Sequence, residues 1–171
     1  MSKKITTKFI LKTAMSLAIA LVFQIGLKGI GQPLVGPLVN FVLIITVYLV
    51  GSLSGIIVGL LTPLIAFFFG IVPFFPIVPF IMIGNSLYVF FFNFFKERLN
   101  PSKEILAIVF SSIIKYLFLT ISIRYLVGFF VELPSKIIIA FSLPQLYTAL
   151  IGGFLAFIVK KFLPKNIIFR P

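Results

Sequence analysis

The stretch SSIIKYLFLTISIRYLVGFF, Ser111 to Phe130, is long and apolar enough to cross a bilayer, yet it carries Lys115 near its middle and Arg124 nearer one end. About 20 such residues in an α-helix, each rising about 1.5 Å, match the hydrocarbon thickness of a membrane. Reading the stretch as a spanning helix fixes the solvent in which the chain folds. It also asks why two cations are kept there, because an ionisable group at bilayer depth is costly and normally faces the bundle interior or a wet cavity.

The composition agrees with a membrane solvent. The chain has 171 residues, 61% of them hydrophobic and 11% charged, with a mean hydropathy of +1.25, too little polar surface to cover a water-soluble globule. Working outward from Ser111–Phe130, apolar runs near Thr13 to Lys28, Gly36 to Val50, Gly51 to Gly70, Val78 to Phe95, Glu104 to Val127 and Lys136 to Val159 predict an all-α integral membrane protein of six transmembrane helices in one domain, 1–171. The connections GIGQPLVGP, IVPFFPIVP, KERLNPSK and VELPSK are short and rich in helix breakers. At the amino terminus, Ala18-Ile19-Ala20 resembles a signal-cleavage triplet but lies inside the apolar run, so this segment reads as the first spanning helix.

The cations orient the chain, since Lys and Arg in short loops are retained on the cytoplasmic side. With the amino terminus inside, Lys3, Lys4, Lys8, Lys12, Lys96, Arg98, Lys103, Lys160, Lys161, Lys165 and Arg170 fall on the inner face, and six spans return the carboxyl terminus to it. Lys28 and Lys136 fall outside. The net charge of +12 is thereby accounted for as topology, with contact to anionic headgroups as its corollary, and no nucleic-acid partner is implied. The chain contains no His, Cys or Asp, which excludes zinc clusters, Cys or His nucleophiles, aspartate pairs and disulfides, and implies no cofactor.

Small residues mark the packing faces expected of bilayer helices. Gly51, Gly55 and Gly59 recur every four residues in the third span, with Ala66 and Gly70 continuing that side; Ala149 with Gly153, and Gly152 with Ala156, repeat the device in the sixth. The first span carries an AxxxA pair, Ala14 and Ala18.

Six spans, termini inside, this length, AxxxA on the first helix, the glycine-rich third span and the FFPIVPFIMIGNSLYVFFF passage together resemble the substrate-binding S components of energy-coupling factor (ECF) vitamin transporters. The resemblance implies a prokaryotic plasma-membrane subunit that captures a vitamin or related micronutrient and docks, through Ala14 and Ala18, on a transmembrane coupling subunit served by two ATPases. The chain has no GxxxxGK[ST] phosphate loop of its own.

Lys115 needs an anion, and the chain has three acids. Glu97 and Glu104 belong to the cytoplasmic connection or its edge. Glu132 lies about 25 Å along the helix from Lys115 but only about 12 Å from Arg124, so Arg124 is its easier partner. Lys115 is left to an anionic ligand, to polar backbone groups, to a neutral amine state, or to snorkelling towards headgroups from about 16 Å deep. Asn85 and Tyr88, one turn apart, Gln32 and Asn40 around the first outer loop, and Gln145 share the outer half with Lys115, Arg124 and Glu132 as candidate substrate contacts. Pro144 opposes the carbonyl of Ala140 and must disturb the sixth helix beside Gln145. Two cations against one acid favour a small carboxylate or phosphate-bearing compound, of a nicotinate-like or pantothenate-like kind, and the lack of His argues against a nickel or cobalt substrate. The alternative is a small structural or assembly membrane protein whose cations are purely topological. Ser-Lys catalysis through Ser111 or Ser112 has little support, because Ser so placed ordinarily satisfies a backbone carbonyl.

Overall fold

The computed structural model describes residues 6–100, 103–129, 131–164 and 166–169; Lys3, Lys4, Lys165 and Arg170, used above for orientation, lie outside the described residues, as does the Gln32 side chain. Among the described residues all regular elements are helical: α1 (Thr7–Gly26), α2 (Gln32–Leu49), α3 (Ser52–Phe68), α4 (Val78–Arg98), α5 (Glu104–Ile121), α6 (Ser135–Ala140) and α7 (Leu143–Phe162). The stretches Thr7–Gly26, Phe75–Arg98, Glu104–Phe129 and Ser135–Phe162 are long and apolar enough to cross a membrane, and Pro33–Leu49 and Ser52–Phe68 are shorter apolar helices.

The helix limits follow local chemistry. Thr6 caps α1 by accepting from the Phe9 N–H at 3.2 Å, which moves its start ahead of the predicted Thr13. A turn at Val50 and Gly51, with Gly51 at φ +115°, separates α2 from α3. α5 runs on through a π-helical turn, Ser122–Leu126, and a 3-10 turn, Val127–Phe129. The predicted sixth span is two helices: α6 stops at Ala140, the chain turns at Phe141 and Ser142, and α7 restarts with Pro144 in its first turn, where a residue without an N–H costs nothing. The proline thus breaks the helix rather than bending it.

α2 lies along α7, α4 packs between α3 and α5, and α1 rests on α2 and α3. The glycines permit these approaches: a Cβ at Gly152 would lie 2.5 Å from the Pro37 carbonyl oxygen and 2.6 Å from Asn40 Cβ, and one at Gly55 would lie 2.9 Å from Val89 Cγ1. The seam residues Ala66, Ala149 and Ala156 are fully buried. α1 is the least enclosed of the long helices, with 11% of it buried against 39% of Phe75–Arg98. Large apolar side chains such as Leu11, Val22, Phe68, Ile121 and Ile158 are exposed, while Asn40, Asn85, Lys115 and Gln145 are buried. An apolar exterior around a partly polar interior is the arrangement a lipid solvent rewards.

At the end of the bundle that carries the start of α1, Glu104 is buried and pairs with Lys160 of α7 at 2.5 Å. The acid expected at a loop edge is therefore inside the bundle, joining the first turn of α5 to the last turns of α7. Lys160 and Lys96 each also lie over the Tyr48 ring, at 4.8 and 5.1 Å from its centroid.

Candidate functional site

A cavity of about 250 Å³ opens at the other end of the bundle, where α1 and α3 finish and α2, α4 and α7 begin. Its walls combine Gln24 of α1, Val35, Gly36, Val39 and Asn40 of α2, Thr62 and Pro63 of α3, Ile81 and Asn85 of α4, Lys115 of α5, and the α6 to α7 break with Lys136, Phe141 and Gln145.

Lys115 sits at its base, 3% exposed. Its ammonium donates to Asn40 Oδ1 at 2.6 Å and to Asn85 Oδ1 at 2.8 Å, and lies 5.3 Å from the centroid of the Tyr88 ring. Two carboxamide oxygens and an aromatic face thus surround Nζ, and none of them brings a counter-charge. No carboxylate lines the cavity among the described residues. Because Nζ points into this polar cluster, Lys115 does not snorkel.

Proline placement builds the cluster. Pro63 has no N–H to give the Gly59 carbonyl one turn back in α3. Asn85 takes that carbonyl with Nδ2 at 3.2 Å, leaving Oδ1 to face Lys115. The same device operates at the helix break, where Pro144 frees the Ala140 carbonyl and Gln145 Nε2 donates to it at 3.2 Å. Asn40 is oriented within its own helix, Nδ2 donating to the Gly36 carbonyl at 3.0 Å.

Of the candidate residues, the fold gathers Asn40, Asn85, Lys115 and Gln145 around one cavity. Tyr88 is fully buried behind Lys115 and uses its hydroxyl on the Ala149 carbonyl at 2.8 Å, so it supports the lysine and does not line the cavity. Arg124, on the π-helical turn, and Glu132, in the following loop, are both exposed and lie outside the cavity lining. The expected Arg124–Glu132 pair does not form: among the described residues the ion pair is Lys160–Glu104. The second cation of the cavity is instead Lys136, which sequence reasoning assigned only to topology. Gln24 and Thr62 were also missed; a glutamine in the first apolar run was the available signal for the former. Ser111 Oγ donates to the Ile108 carbonyl at 3.1 Å, the ordinary backbone role expected of it.

A buried lysine lining a cavity at one end of an apolar bundle, with no described carboxylate beside it, has the character of a binding site for a small solute. The family model of the ECF transporter substrate-specific component matches residues 8–163. The chain belongs to this family. No curated protein and no solved structure matches it. As a substrate-specific component of an ECF transporter, the S component binds a substrate and works with an energising module. Ala14 and Ala18 are exposed on α1, beside the exposed Leu11 and Met15.

Proposed function

We propose that this S component captures a small anionic vitamin or related micronutrient in the Lys115 cavity and presents it for ATP-driven uptake. The observation that carries the reading is the make-up of the lining: Lys115 and Lys136 line the cavity and no described carboxylate does. An ammonium has three protons; Asn40 and Asn85 take two, leaving one for a carboxylate or phosphate oxygen in a site of low dielectric.

In this reading the chain is one domain crossing a prokaryotic plasma membrane six times, with both termini in the cytoplasm and the cavity opening outward. The cations support that orientation, since Lys8, Lys12, Lys96, Arg98, Lys103, Lys160 and Lys161 belong to the end away from the cavity. The exposed α1 face around Ala14 and Ala18 is where the transmembrane coupling subunit docks, and two ATPases supply the energy. The protein itself binds and does not catalyse.

The test is mass spectrometry of small molecules released from the detergent-purified protein, followed by titration of what is found into wild type and Lys115→Ala. An anionic compound whose affinity falls about 30- to 100-fold or more in the variant is expected, the scale of a lost buried charge-assisted hydrogen bond. A cationic or uncharged ligand that binds the variant as tightly as wild type sinks the reading.

A further inference from the structure

The two lysines of the cavity stand in different solvents. Lys115 is enclosed at the base, 3% exposed, with Asn40 Oδ1 and Asn85 Oδ1 at 2.6 and 2.8 Å from Nζ. Lys136, on α6, lines the same cavity but is exposed, and it makes no hydrogen bond or ion pair with the described residues. The other charged groups described at this end of the bundle are Lys28, Arg124 and Glu132, also exposed and outside the lining. Lys28 is engaged at the Phe69 carbonyl, 3.1 Å away. Three cations thus stand against one acid around the entrance, and Lys136 is the one that reaches into it.

Environment decides what each lysine does for an arriving acid. An exposed ion pair contributes little once formed, because water and salt screen it and two long side chains must be held in place. Lys136 therefore gives a bound ligand little retention. Its charge acts earlier, because a field at the mouth of a cleft with low-dielectric walls raises the local concentration of the opposite charge and the rate of encounter. Lys115 is placed for the opposite task. It is remote from bulk solvent, and a hydrogen bond to an acid group there is strengthened by the absence of competing water.

We propose that the two lysines divide the binding step between them: Lys136 sets the rate at which the acid enters the cavity, and Lys115 sets the time it stays. The inference rests on the anionic reading above and deepens it, making Lys136 an entrance residue and not a second contact to the bound ligand. A charge at the rim of a site acts mainly on association and its salt dependence, and a buried hydrogen-bonding charge acts mainly on dissociation, so the two roles separate in kinetics where affinity alone would merge them.

The experiment measures association and dissociation rates by rapid filtration with radiolabelled nicotinate, pantothenate and lipoate, on the S component in nonionic detergent. Wild type, Lys136→Gln, Lys136→Glu and Lys115→Gln are compared at about 0.01 M and about 0.15 M salt, between which the screening length falls from about 30 Å to about 8 Å. At low salt Lys136→Gln is expected to slow association about three- to tenfold and Lys136→Glu to slow it further, with dissociation changed less than about twofold and the differences largely lost at the higher salt. Lys115→Gln is expected to speed dissociation at least about 30-fold with association within about threefold. Dissociation quickened about tenfold or more by Lys136→Gln means that this residue holds the bound ligand; it overturns the inference and leaves the anionic reading standing, as does association that neither Lys136 variant slows. If none of the three acids binds, the anionic reading falls and the inference with it. The Lys136 variants decide the matter by themselves if Lys115→Gln does not fold.

Discussion

Asn85 donates through Nδ2 to the carbonyl of Gly59 at 3.2 Å, the group that Pro63 leaves without its helical donor. One proline in α3 thereby aims a carboxamide on α4 at an ammonium on α5. Asn85→Asp keeps the size of the side chain but sets a carboxylate beside Lys115, supplying the counter-ion the cavity lacks. Affinity for an anionic ligand is expected to drop at least about 100-fold, by the counter-charge beside Lys115, and stability to fall by about 1–3 kcal/mol, because a carboxylate cannot donate to the Gly59 carbonyl. Titration beside a thermal melt in detergent separates the two effects; undiminished binding means that the lysine charge is not what the ligand recognises.

The Lys160–Glu104 pair joins the last turns of α7 to the first turn of α5 away from the cavity. Glu104 is 5% exposed and Lys160 25%, so the pair is shielded on one side only, and Glu104→Gln is expected to cost about 1–3 kcal/mol. A double-mutant cycle with Lys160→Met measures the coupling, and ligand affinity should stay within about twofold because the two sites share no residues. Purely additive losses in the cycle would count against the pair.

Gly152 faces the α2 backbone, where a Cβ would meet the Pro37 carbonyl oxygen at 2.5 Å, whereas a Cβ at Gly26 would meet nothing within 4 Å. Gly152→Ala should therefore destabilise by about 1–3 kcal/mol through overpacking, and Gly26→Ala should be neutral or slightly stabilising. Thermal melts of the two variants check the contrast. Equal melting temperatures would show that the α2 and α7 seam yields freely.

Ala14 and Ala18 are exposed on a face of α1 that none of the described residues covers. Ala18→Trp is expected to leave ligand affinity and melting temperature unchanged while abolishing copurification with the coupling subunit and ATPases. Retained assembly with the tryptophan in place would move the docking face elsewhere.

The sequence made the apolar helices legible because each is a long run between proline- and glycine-rich connections, and Lys115 legible because an ammonium at that depth demands an explanation. Pro144 disclosed a disturbance in the sixth span, though not the full break, and the carbonyl that Gln145 takes, since a missing N–H has a fixed address four residues back. The identical logic at Pro63 and Gly59 went unread: its beneficiary, Asn85, lies 26 positions away in the chain, and only packing brings it near. Arg124 misled because depth along a helix says nothing about the direction a side chain faces, and the π-helical turn that carries it leaves it exposed. Lys136 was invisible as a cavity residue because the fold reaches it only by breaking the sixth segment.

Asn40 stands where two demands meet. Its Cβ lies against the α2 and α7 seam at Gly152, and its Oδ1 holds Lys115. An engineer retargeting this importer cannot change position 40 without reopening the helix interface, nor close that interface differently without re-aiming the lysine. Gln24 and Lys136, which reach the cavity from the bundle's margins, carry no such double duty, so new substrates are most readily accommodated there, with the asparagine and lysine base left as the fixed part of the design.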